Sequence, residues 1–252
     1  MNGILLNSLI LFSTALVGGG IILLWGKKWL NHLGLMLTFG GAYLMGLVFL
    51  HLVPELFSTN AVNAGWYVLA GFMLQVLLEY MSQGLEHGHF HEHEGNAHKS
   101  FPVMIFVSLC LHAFIEAMPL AGGVHDHGHA HQHIHLASQS LLIGLVVHKF
   151  PVAMVLAGML MGSNLKQALQ WLFVAIFGLM PVLGIVIGDS IIHAFPEGID
   201  QFMTAMSGIL IGILLHISTT ILFESSDGHR FNFVKLMVVV IGIAIAALTL
   251  GH

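Results

Sequence analysis

The chain has 252 residues, 57% of them hydrophobic and only 8% charged, with a mean hydropathy of +0.90. An ordinary soluble domain carries roughly 25% charged residues, so this composition excludes a water-soluble globule. The formal net charge of −5 comes from scattered acidic groups with no basic stripe, which excludes a nucleic-acid partner, and the single cysteine, Cys110, excludes both a disulfide framework and a cysteine-based zinc knuckle.

Apolar runs of about 18 residues or more read as membrane-spanning helices, and here they follow one another almost end to end. The polar breaks between them predict eight spans, at 3–25, 34–57, 65–84, 101–122, 137–161, 167–190, 202–224 and 232–250. The expected fold is an all-α integral membrane protein, a bundle of eight transmembrane helices forming one polytopic domain over 1–252. The first run follows Met1-Asn2-Gly3 without a basic segment and is long enough to span, so it reads as the first helix rather than a cleaved signal.

Lys and Arg are retained on the cytoplasmic side of membrane proteins. Lys27 and Lys28 fall between spans one and two, Lys99 between three and four, Lys166 between five and six, and Arg230 with Lys235 around the last junction. These loops therefore share the cytoplasmic face, and both termini are expected to be extracytoplasmic. Lys149, in mid-span, stands outside the pattern.

Nineteen histidines are the unusual feature of the composition. Many lie in two low-complexity tracts: EHGHFHEHEGNAHK at 86–99, expected to be a cytoplasmic loop, and VHDHGHAHQHIHL at 124–136, expected to be extracytoplasmic. Interleaved Gly, Ala, Asp and Gln leave no apolar period to bury, while closely spaced imidazoles chelate borderline cations.

Ionisable side chains at bilayer depth cost roughly 2.5–3.5 kcal/mol each on insertion scales, which makes each a candidate for function. In span four, L-H-A-F-I-E-A-M-P sets His112 and Glu116 four residues apart, on one helical face. In span five, V-V-H-K-F-P sets His148 at matching depth, beside Lys149. Pro119 and Pro151 withhold a backbone donor from the carbonyls of Ile115 and Val147, next to these ligands. His112, Glu116 and His148 form a nitrogen and oxygen set of the kind Zn²⁺ accepts, and Fe²⁺, Mn²⁺ and Cd²⁺ fit it too. The structural alternative is hydrogen bonding between packed helices. Lesser candidates for a transport pathway are His51 and Glu55 in the H-L-V-P-E of span two, and His216 in a polar stripe that runs through Thr219 and Thr220 to Glu224 in span seven. Glu79, and Asp189 with His193, read as interfacial.

These motifs resemble those of the ZIP (Zrt- and Irt-like) metal transporter family. The stretch from His112 is similar to the family's span-four signature H-N-x-P-E-G or H-N-x-x-D-G, and H-K-F-P from His148 to its span-five signature H-[EDK]-x-P-E. The H-L-V-P-E of span two and a histidine-rich loop between spans three and four are similar as well. Ala113, Ile115 and Val152 replace the family's Asn, Pro and Glu, and Lys149 takes a position that holds a carboxylate in two-metal members. The resemblance implies a transporter that moves a divalent transition metal, Zn²⁺ first, into the cytoplasm by alternating access. It implies a single-metal site in which Lys149 replaces a second cation.

The expected partners are divalent metal ions and the lipid bilayer of the plasma or inner membrane, with a homodimer as a candidate assembly. No H-E-x-x-H motif and no Ser/His/Asp order is present, so an enzyme is not expected, nor a catalytic cofactor; the metal is substrate. Alternatives are an efflux transporter of the cation diffusion type, which would present six spans with both ends inside, an intramembrane metalloenzyme, or a metal store built on the histidine tracts.

Overall fold

The computed structural model describes residues 2–58, 62–82, 103–124, 132–224 and 233–250. The tract at 86–99 lies outside the described residues, as do 125–131 of the second tract; residues 132–136 of that tract, expected to be loop, instead form the first turn of α6. Among the described residues every regular element is a helix: α1 (Asn2–Trp25), α2 (Leu33–Leu47), α3 (Val53–Ser58), α4 (Ala64–Ser82), α5 (Val103–Ala117), α6 (Gln132–Gly162), α7 (Gln167–Ala194), α8 (Ile199–Glu224) and α9 (Phe233–Leu250).

Seven helical segments among the described residues are long and apolar enough to cross a bilayer: Gly3–Trp25, Lys28–Ser58, Ala64–Ser82, Val103–Gly122, Gln139–Gly162, Gln167–Ala194 and Ile199–Phe223. The protein is a multi-pass membrane protein. An eighth apolar helix, Phe233–Thr249, coincides with the last expected span and is shorter. Leu5, Leu9, Trp66, Leu77, Leu172 and Val240 are all exposed, as suits a surface whose solvent is lipid, where a helix satisfies its backbone polar groups internally.

Proline lies inside or beside the helices that carry the candidate residues. Span two runs from α2 through a widened π turn at Val48–Leu52 into α3. Pro54 lacks an N–H for the carbonyl one turn before it, and the Val53 N–H reaches five residues back to the Val48 carbonyl. His51 sits on this turn. Pro151 lies inside α6, whereas α5 ends at Ala117 and continues as a 3₁₀ segment, Met118–Val124, that contains Pro119.

Helices α5 and α6 carry the ligand candidates, and their neighbours hold them in place. α7 packs on α5, α1 on α6 and α7, α2 on α6, and α4 on both α5 and α8. Glycine sets two of these approaches. A Cβ added to Gly184 of α7 would meet the Phe114 carbonyl oxygen at 2.2 Å, and one added to Gly18 of α1 would meet the Phe150 carbonyl oxygen at 2.5 Å. Phe114 lies between His112 and Glu116, and Phe150 follows Lys149, so these two contacts fix the depth and rotation of the helices that hold the site. Backbone cannot yield as a side-chain tip can.

Gly184→Ala is therefore expected to destabilise the detergent-solubilised protein by about 1–3 kcal/mol, the usual cost of overpacking, read as a lower midpoint of thermal unfolding. An unchanged midpoint would show that α5 and α7 do not approach this closely.

Candidate metal centre

His112, Glu116 and His148 come together. Ligand-type atoms of the three lie within 4.8 Å of one another, all three side chains are buried, and among the described residues they are the one group of three or more His, Cys, Asp or Glu that can share an ion. On α5 the helical period delivers His112 and Glu116 to the same face, with His112 Nε2 2.7 Å from Glu116 Oε1. From α6, the His148 ring stands nearly perpendicular to that of His112, at 83° and with centroids 5.9 Å apart.

Lys149 turns to the same carboxylate. Its Nζ donates to Glu116 Oε2 at 2.5 Å, and both side chains are essentially without exposure, at 1% and 0%. The ammonium also lies over the Phe177 ring of α7, 5.9 Å from its centroid. Glu116 is thus divided: one oxygen faces a fixed cation, the other faces the imidazoles. A buried charge is tolerable only when paired, and here the pair joins α5 to α6.

The α4 helix completes the enclosure. The buried Gln75 sets its Oε1 3.1 Å from His112 Nδ1, and Ser108 Oγ donates to the Leu78 carbonyl at 2.6 Å. Ser108, His112 and Glu116 form a polar stripe at successive turns of α5, and α4 runs antiparallel along its first two members.

The lesser candidates do not join this cluster. His51 on the π turn and Glu55 on α3 form a separate pair, Nε2 to Oε2 at 3.8 Å. His216 of α8 donates from Nε2 to Glu79 of α4, and its ring meets the Phe72 ring edge-on, with centroids 4.8 Å apart. The Thr219 and Thr220 hydroxyls donate to carbonyls of their own helix, both to His216 O at 2.8 Å. Glu224 ends α8, and its side chain lies outside the described residues. Glu79 reads from the sequence as interfacial; the fold gives it His216 as a partner. Asp189 and His193 pair at 3.6 Å near the end of α7, as their spacing allows.

A groove of about 760 Å³ between α1, α2, α6 and α9 reaches Val147, Phe150 and Pro151, beside the site. Its lining is mostly apolar, with Ser13, Thr14 and His32 as the polar exceptions. It supplies no ligand set for a hydrated cation.

In comparisons with known proteins, no family model matches the chain, and no curated protein does.

Removing one member of a buried ion pair costs about 3–5 kcal/mol, because the remaining charge is stranded. Lys149→Met should therefore destabilise the protein strongly, while the double variant Lys149→Met/Glu116→Gln should recover most of the loss. Unfolding of both variants in detergent checks this, and equal stability of single and double variants would contradict the pairing.

Proposed function

We propose that this protein is a transporter that carries a divalent transition metal, Zn²⁺ first among Fe²⁺, Mn²⁺ and Cd²⁺, across a plasma or inner membrane into the cytoplasm. The reading rests on one observation: two imidazoles and a carboxylate from α5 and α6 converge inside helices long enough to span a bilayer. The likeness of their motifs to the ZIP signatures, and the two histidine tracts in the sequence, support it. In this reading α9 is the eighth span, and the distribution of Lys and Arg leaves both termini extracytoplasmic.

The ligand geometry suits a tetrahedral ion. Bonds of about 2.0–2.2 Å in a four-coordinate site separate neighbouring ligand atoms by roughly 3.3 Å. The 2.7 Å contact between His112 and Glu116 opens slightly on binding, and the wider separations to His148 close. Water or a substrate-side ligand takes the fourth position.

Charge explains why such a site releases its ion. Glu116 with Lys149 is neutral before the metal arrives, so the incoming dication gains only one half-neutralised carboxylate and two neutral rings. Conduction needs binding strong enough for entry and weak enough for exit. A lysine in place of a second metal also limits the site to one ion. His51 and Glu55 would serve on the extracytoplasmic approach. Glu79 and His216 would serve on the cytoplasmic side, leading to Glu224 and the 86–99 tract, which begins four residues after the end of α4 at Ser82.

The test is competitive uptake of Zn²⁺, Fe²⁺, Mn²⁺ and Cd²⁺ into proteoliposomes. His112→Ala, His148→Ala and the charge-balanced Glu116→Gln/Lys149→Met should each reduce uptake to the level of protein-free liposomes while the protein still elutes as a folded species. Deleting 86–99 should leave most of the flux, and deleting 125–131 should chiefly raise the half-saturating metal concentration. Retained uptake in all three variants would remove the site, and metal movement only out of the cytoplasmic side would replace uptake by efflux.

A further inference from the structure

Gln75 is a fully buried primary amide on a largely apolar helix. Burying such a group without partners costs several kcal/mol, so its surroundings show what it is for. Its Oε1, which can only accept, faces His112 Nδ1 at 3.1 Å. With the amide oxygen turned to the ring, Nδ1–H is the donor and Oε1 the acceptor. Nε2, on the far edge of the ring, lies 2.7 Å from Glu116 Oε1, and the His148 ring stands edge-on to the same imidazole.

The position of Gln75 is itself fixed. One turn away, the buried hydrogen bond from Ser108 Oγ to the Leu78 carbonyl, 2.6 Å long, ties the same two helices together. Leu78 is one turn from Gln75 on α4, and Ser108 one turn from His112 on α5, so the antiparallel pair is pinned at two adjacent rungs. Sliding α4 by a residue would break both.

We infer that Gln75 is a positioning residue that holds the Nδ1–H of His112 on its amide oxygen and so leaves Nε2 as the atom that takes the metal. The inference rests on the metal reading above and adds which nitrogen binds and what holds it there. Histidines that bind metals commonly donate their second N–H to a carboxylate or carbonyl, and loss of that partner lowers affinity by about 10–100-fold. A neutral amide orients the ring without adding negative charge, which keeps the ligand less basic than a carboxylate partner would. That moderation fits a site that must let its ion go.

The experiment uses full-length protein in nanodiscs, labelled with ¹⁵N-histidine and titrated with ¹¹³Cd²⁺, with His112→Ala identifying the His112 signals. In the wild type, Nδ1 should be protonated without metal, and the ¹¹³Cd coupling should appear on Nε2. Gln75→Leu should shift the Nδ1 signal and weaken binding by about 10–100-fold. Gln75→Glu should restore the Nδ1–H signal and bind at least as tightly as the wild type, with slower turnover in liposomes at a lower half-saturating concentration. Cadmium on Nδ1, or a Gln75→Leu variant with unchanged signal and affinity, would overturn the inference. Should Gln75→Leu fail to fold, a tenfold weaker Gln75→Glu would overturn it equally. If no coupling appears at His112 while Gln75→Leu still shifts Nδ1, the metal reading fails and the tautomer assignment holds.

Discussion

A carboxylate without exposure, on a helix surrounded by apolar neighbours, has to find positive charge within the protein. Glu116 finds it in Lys149, whose ammonium is equally buried and only 2.5 Å away. Each charge would be prohibitive alone at this depth, and the pair is tolerable because both are satisfied together. Because the partners come from α5 and α6, their meeting sets the relative rotation of the two helices. That rotation in turn brings His148, next to Lys149 in the chain, round to face His112. The packing glycines serve the same end: Gly184 and Gly18 let α7 and α1 press against the backbone beside the site, so neither ligand helix can roll.

The same ion pair shapes the proposed chemistry. With Oε2 committed to Lys149, Glu116 offers an entering metal one oxygen, which makes a three-ligand site of modest charge. Strong chelators surround their ion with anionic ligands; this arrangement does not. A transported ion has to leave, and a fixed ammonium beside the site favours leaving. The proposed ease of release and the proposed single-ion stoichiometry thus follow from one salt bridge.

The α4 helix links this centre to a second polar contact. Gln75 faces His112 on α5, and Glu79, one turn along, faces His216 on α8. Polar side chains in an apolar helix are costly, and both of these are placed where another helix supplies a partner. The line from Gln75 to Glu79 runs towards the end of α4, the end at which the chain continues into the histidine tract.

Much of this is legible in the sequence. Long apolar runs, whose only stable form in lipid is a helix, predict the spans to within a few residues, and α7 differs from its expected 167–190 chiefly by running on to Ala194. His112 and Glu116 share a face because 3.6 residues make a turn. The depth of His148 follows from counting along its span, and attraction between Lys149 and Glu116 follows from their charges. These are local or periodic properties, which a sequence carries in full. Gln75 falls one turn before Glu79, but an uncharged amide does not flag itself as His112 and Glu116 do, and its partner lies 37 residues away. Glu79 and His216 are separated by 137 residues, and the hydropathy that puts each near a helix end does not say which helices touch. Those pairings are decided by how the helices rotate and slide against one another, and that depends on close contacts between backbones distant in the chain, which only the assembled fold contains.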